Sequence, residues 1–141
     1  MAYATRDDMV KRFGETEVIE LTDRERTGEI DDVVLDQALE DAGAEIDTYL
    51  AARYRLPMTL APRFLAGVCC DIARYRLVGA GTADTEEILT RYRDAVKFLT
   101  LVADGRVTLG VDPAGSLVQP GNTVQFNSGT RIFTCRDRGA Y

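Results

Sequence analysis

Apolar side chains recur every three or four residues between positions 34 and 50: Val34, Leu35, Ala38, Leu39, Ala42, Ile46, Tyr49 and Leu50. Asp32, Asp36, Glu40, Asp41, Glu45 and Asp47 fill the positions between them. An α-helix turns once per 3.6 residues, so this spacing gathers the apolar set on one face. It predicts an amphipathic helix of about six turns from Asp31. That helix must end before Pro57, because the residue preceding a proline avoids helical backbone. Pro62 suits the first position of a second helix. Phe64, Leu65, Val68, Cys69, Ile72, Tyr75 and Leu77 give it a wide apolar face, as expected of a central helix covered on more than one side. Gly79-Ala80-Gly81 ends it. Asp84-Thr85-Glu86-Glu87 opens a third long helix, with a cap and carboxylates in the electropositive first turn. Its core stripe is Ile88, Tyr92, Ala95, Val96, Leu99 and Val102, and Gly105 follows its last turn.

The two ends of the chain read differently. Thr5-Arg6-Asp7-Asp8 is a capping box with Asp in place of the usual Glu or Gln. Met9, Val10 and Phe13 follow at helical spacing, Gly14 stops the turn, and a second short helical piece runs over 15–21. After residue 106 the helical period is lost, and Gly110, Pro113, Gly115, Pro120, Gly121, Gly129 and Gly139 interrupt the chain. Thr123–Phe126 and Arg131–Thr134 alternate like strands around Asn127-Ser128-Gly129-Thr130, which reads as a hairpin turn. A lone hairpin is marginal in water. The arm is therefore expected to lie on its own helices, a neighbouring copy or a partner's sheet edge; the alternative is an unordered tail. The fold class expected is mainly α. A small helical bundle over 1–106 has three longer helices plus short N-terminal helices. An extended C-terminal arm over 107–141 contains the β-hairpin.

Composition narrows the chemistry. The chain has 141 residues, 45% of them hydrophobic and 28% charged, which is enough for one domain with its own core. No apolar run approaches the ~20 residues of a membrane span, and MAYATRDDMVKRF lacks the apolar stretch of a signal peptide, so synthesis and action in the cytoplasm are expected. There is no histidine, hence neither the usual general base nor a Cys/His zinc site. Cys69 and Cys70 are adjacent and Cys135 is distant, which points to free, buried thiols. No glycine-rich phosphate loop, GxSxG or HExxH occurs. No catalytic, cofactor-binding or metal-binding residue is assigned, and the chain is not expected to be an enzyme.

The net charge of −6 is spread unevenly. Residues 15–47 carry thirteen acidic side chains against Arg24 and Arg26, whereas 53–106 carry nine basic and six acidic ones. Either this is a solvated acidic helix face, or acidic and basic surfaces meet within a chain or between copies. An acidic chain lacks the footprint of a simple nucleic-acid binder.

Two local patterns remain. Asp23, Glu25, Thr27, Gly28, Ile30 and Asp31 match positions of a calcium-binding EF-hand loop, but Val34 stands where that loop needs a bidentate Glu. The expected reading is a turn in which Gly28 supplies a positive φ and Asp31 or Asp32 caps the next helix. Arg53-Tyr54-Arg55, Arg74-Tyr75-Arg76 and Arg91-Tyr92-Arg93 recur in three successive helical segments. They are either interface residues or core tyrosines flanked by arginines that reach solvent. Asp71 and Arg74 have the spacing of an intrahelical pair.

Taken together, AYATRDDMVKRFGETEVIELTDR (2–24), AEIDTYLAARYRLP (44–57), CDIARYRL (70–77) and RYRDAVKFLTLVADGRVTLG (91–110) resemble the head–tail connector, or adaptor, proteins of Mu-like tailed bacteriophages. The resemblance covers most of the chain in order and is weakest over 111–122. It implies a helical-bundle structural protein of the virion, assembling in the host cytoplasm and residing at the head–tail junction. It implies a homo-oligomeric, dodecameric ring beneath the portal protein, extending the channel through which DNA leaves without sequence-specific contact. A tail-side completion or terminator protein would be the other neighbour, with no membrane involved. In such proteins a similar C-terminal arm reaches toward the portal. Here that points to Phe126, Ile132, Phe133 and Tyr141 as apolar anchors and Arg131, Arg136 and Arg138 as polar contacts, proposed rather than matched residue by residue. The alternative is a small acidic regulatory or interaction module that imitates DNA with its helix 31–52.

Overall fold

Thr5 opens the first helix, α1 (Arg6–Phe13), as the capping box requires. Its hydroxyl accepts from the Asp8 amide, and the Asp8 carboxylate accepts from the Thr5 amide at 2.9 Å. Asp7 and Asp8 lie at the positive end of α1, and Lys11 and Arg12 at its negative end. Gly14, at φ 89, ends α1 and turns the chain straight into α2 (Glu15–Thr22). The computed structural model of the chain describes residues 3–58, 60–79 and 86–111. Within them the remaining helices are α3 (Asp32–Leu50), α4 (Arg63–Val78) and α5 (Glu86–Ala103).

The loop between α2 and α3 is a turn held by its own backbone. Asp23 accepts from the Thr27 amide at 2.9 Å and the Gly28 amide at 2.7 Å. These donors hold its carboxyl below the usual range, so the oxygens that a cation would need already face N–H groups. Gly28 has the positive φ expected, and Asp31 caps α3 through the Val33 and Val34 amides. Buried Thr22 closes the loop, donating to the Val18 carbonyl at 2.8 Å and accepting from the Asp31 amide at 3.3 Å.

α3 stops at Leu50, the last residue of its apolar period, a little short of the six turns expected. The Arg53 and Tyr54 amides both donate to the Leu50 carbonyl, and this tight turn carries Tyr54 into the core at 5% exposure. There its hydroxyl accepts from the Leu109 amide at 3.1 Å. At the start of α4, Pro62 is the cap residue and Arg63 the first helical one, a shift of one position from the expectation.

α3, α4 and α5 pack on one another, and α1 and α2 lie across α3 and α4. α4 meets every other helix. That central place explains its wide buried set of Leu65, Val68, Cys69, Cys70, Ile72, Ala73, Leu77 and Val78. Leu35, Leu39, Ile46 and Leu50 of α3 and Leu99 and Val102 of α5 complete the centre. Past α5, Val107 and Leu109 pack on the core and Val111 is buried in it, so the start of the expected arm belongs to the helical body. No strand occurs among the described residues, and none of their helices is long and apolar enough to cross a membrane. The hairpin over 123–134, Cys135, the helix cap at Asp84 and all seven arm residues assigned to partner contact lie outside the described residues.

Candidate interaction surface

The long-range ion pairs show where much of the charge goes. Arg74 reaches Glu17 of α2 at 2.5 Å and lies 4.5 Å from the Phe13 ring centroid. Arg76 reaches Glu45 of α3 at 2.6 Å, and Glu45 also accepts from the Tyr92 hydroxyl at 3.0 Å. Tyr92 stacks on Tyr75, with centroids 4.1 Å apart and planes 12° from parallel. The second and third Arg-Tyr-Arg triplets thus act largely inside the body, tying α2, α3, α4 and α5 together. The Tyr75–Tyr92 stack and the buried Tyr54 favour the core reading of the tyrosines.

Asp71 does not pair with Arg74. Its carboxylate instead receives Arg12 of α1 at 3.0 Å, with Arg91 of α5 at 3.9 Å on the other oxygen. These two arginines from neighbouring helices hold the carboxylate, and Arg74 turns to Glu17. Asp71 Oδ1 is buried without a hydrogen-bond partner. Arg12 reaches Asp71 by crossing α4 at Gly67, where a Cβ would stand 2.7 Å from its Nη1.

This crossing divides two grooves. One, of about 270 Å³, is lined by Arg12, Phe64, Val68, Asp71, Arg91 and Phe98, among others, between α1, α4 and α5. The other, of about 320 Å³, is lined by Asp8, Lys11, Arg12, Arg63 and Gly67, among others, between α1 and α4. Phe64, expected in the core stripe of α4, is instead 60% exposed. It sits at the first turn of the helix, with the Phe98 ring 4.8 Å away and solvent on its other side. Lys11 and Arg63 form no ion pair among the described residues, but Asp8 lies near both in the same groove, and Asp94 lines the other, so both grooves carry charges of mixed sign beside the open aromatic pair.

α3 presents a different character. Val33, Asp36, Gln37, Glu40, Asp41 and Ala44 form its outward stripe, and all are exposed. Val33 is 79% exposed. Gln37 donates to Asp41 at 3.0 Å, while Asp36 and Glu40 have no cation partner among the described residues. Nothing in this surface suggests bond chemistry. Burial pushes the Cys69 thiol up to about 11 and that of Cys70 up to about 12, away from the thiolate that a nucleophile needs.

The grooves were not legible as a site in the linear pattern, because Arg12, the Gly67–Asp71 turn of α4 and the Arg91–Phe98 turns of α5 are far apart in the chain. One signal was available. A glycine inside a strongly periodic helix is costly and marks a close approach, and Gly67 is that residue.

A family model described as "Bacteriophage Mu, Gp36" matches residues 3–128. The chain is similar to "Gene product J" of Escherichia phage Mu, 39% identical over 142 residues and covering 99% of each chain. It is also similar to "Mu-like prophage FluMu protein gp36" of Haemophilus influenzae, 31% identical over 131 residues, covering 93% of this chain and 92% of that one.

Proposed function

The chain belongs to the Bacteriophage Mu Gp36 family, and on that premise we propose that it is a structural protein of the phage particle. In this reading it acts at the head–tail junction as an adaptor. Copies form a ring beneath the portal protein, extend the DNA exit channel and meet a tail-side completion or terminator protein. The observation that carries the proposal is the family match from residue 3 to residue 128, which spans α1 to α5 and runs past them. The charge layout is compatible with it. An acidic body does not hold DNA that must slide past, and a helical body followed by a segment whose sequence alternates like a hairpin suits an arm that engages a second protein.

The acidic outward face of α3 favours a second reading, a small module that occupies the DNA-binding face of one partner. The two differ in stoichiometry. The test is to mix the full chain with the portal protein encoded beside it and measure the mass of the product by light scattering after gel filtration. A large complex with many copies is expected, and one lacking residues 123–141 should fail to form it. No complex between folded chain and intact portal would overturn the adaptor reading and favour the module.

A further inference from the structure

We infer that residues 124–133 of this chain dock on its own body, over the groove of Phe64 and Phe98 between α1, α4 and α5. The inference goes beyond the adaptor reading and does not depend on it. Among the described residues the exposed large hydrophobic side chains are Val33, Leu60 and Phe64. Val33 stands at the start of α3, whereas Leu60 and Phe64 stand at the opposite end of the bundle, before α4 and in its first turn. A single exposed apolar residue needs no explanation. Phe64 is different, because it forms an open aromatic pair with Phe98 at the mouth of a groove of about 270 Å³, which is the kind of patch that marks a contact surface. The chain passes out of the described residues at this same end. Gly105 lies against Arg53, just beyond α3, and the Leu109 amide donates to the Tyr54 hydroxyl at 3.1 Å. Val107 and Leu109 pack on the core and Val111 is buried in it, so the next segment starts against the body. Residues 112–123 span up to about 40 Å when extended, against about 10 Å between neighbouring helix axes. A covalent tether of that length holds 124–133 at an effective concentration of about millimolar. In dilute solution the segment therefore meets its own body before it meets a second copy.

The sequence of the segment fits the groove. In the hairpin that its alternation predicts, Phe126 stands opposite Arg131 and Val124 opposite Phe133, which puts these four on one face. That face is apolar with one cation. The groove is apolar at Phe64, Val68 and Phe98, and its cations are already held: Arg12 and Arg91 by Asp71, and Arg91 by Glu87 as well. Asp94 is the lining charge that has no ion pair among the described residues. Val124, Phe126 and Phe133 thus cover the Phe64–Phe98 pair, and Arg131 meets Asp94. A hairpin that is marginal alone gains the third layer it lacks.

The test is limited digestion of the full chain with chymotrypsin, with cutting after Phe126 and Phe133 followed by mass spectrometry. Under native conditions the rate tracks the fraction of chains in which the segment is undocked. Phe64→Asp should speed cutting at least about tenfold, although the arm's own sequence is unchanged. Val33→Asp, at the opposite end of the bundle, should cut like wild type. Asp94→Arg should also speed cutting. Added to Arg131→Glu, the same Asp94→Arg should instead slow it, because the pair is then restored with its signs exchanged. All these positions in the body are exposed, and circular dichroism checks that each variant folds. Rates should not change as the chain is diluted. Equal cutting of wild type and Phe64→Asp would overturn the inference, as would an equal effect of Val33→Asp or a failure of Asp94→Arg to slow cutting of Arg131→Glu. Cutting that slows as protein concentration rises would give the groove to the segment of a second copy and overturn it too. No portal protein enters the experiment, so none of these outcomes bears on the adaptor role.

Discussion

Gly67→Ala tests whether Arg12 crosses α4 at that residue. An added Cβ would stand 2.7 Å from Arg12 Nη1 and 3.3 Å from Cζ, closer than carbon and a guanidinium can pack. The end of the Arg12 side chain must then shift, which weakens or breaks the 3.0 Å pair to Asp71. Two effects of opposite sign follow. Alanine in a helix interior is favoured over glycine by about 1 kcal/mol. Displacing Arg12, whose side chain is 41% exposed, costs about 0.5–1 kcal/mol after screening. Leaving the mostly buried Asp71 with only Arg91 nearby adds a further cost of up to about 1 kcal/mol. In the wild-type background the substitution should therefore fall between about 0.5 kcal/mol stabilising and about 1 kcal/mol destabilising. In an Arg12→Ala background, where nothing stands in the way, it should stabilise by about 1 kcal/mol. Urea unfolding of the four proteins, followed by far-UV circular dichroism, yields the coupling energy. A value of about 0.5–2 kcal/mol is expected. If Gly67→Ala stabilises both backgrounds equally, Arg12 does not lie on Gly67 and the division between the two grooves is wrong.

Glu45→Ala should destabilise the body by about 1–2 kcal/mol, because Arg76 is partly exposed and returns to water while the Tyr92 hydroxyl loses its acceptor. A cycle with Tyr92→Phe should show coupling of about 0.5–1 kcal/mol, and additivity would show that Tyr92 does not depend on Glu45. In a chain carrying Cys135→Ser, Cys69 and Cys70 should react with a thiol reagent at about pH 8 only as fast as the body opens; prompt reaction without denaturant would contradict their burial. The same thiols make stability fall in alkali. Their folded pKa values, about 11 and about 12, stand above the ordinary 9.0, so the folded chain keeps protons that the unfolded chain releases. Their contribution is complete below about pH 9 and is lost as pH rises through the folded values. The raised Tyr92 hydroxyl acts in the same direction above its ordinary 10.0. A urea midpoint that stays flat from about pH 8 to about pH 11 would refute this.

The elements were legible in the chain because each depends on neighbours in sequence. The three-and-four spacing from Val34 to Leu50 gathers one face at 3.6 residues per turn wherever that helix lies. Thr5 and Asp8 satisfy each other's backbone donors within a single turn, and Gly28 and Asp31 shape the loop before α3 in the same local way. The family was legible for a related reason, since stretches such as 2–24 and 91–110 keep their residues in order along the chain. The partners of the charges were not. Asp71 and Arg74 have a pairing interval, yet Arg74 meets Glu17 and Asp71 meets Arg12 and Arg91. Phe64 lies on the periodic stripe of α4 but stands half outside, because a stripe says which side faces other helices and not how far along the axis they extend. Tyr54 is buried because Leu109, 55 residues away, returns to its hydroxyl. Such outcomes depend on the rotation and offset of one helix against another, which packing of the whole core sets. The sequence by itself determined the helices, the caps at Thr5 and Asp31, and the kinship with Mu-phage proteins. The tertiary structure alone decided which charges are spent inside the body and which remain outward.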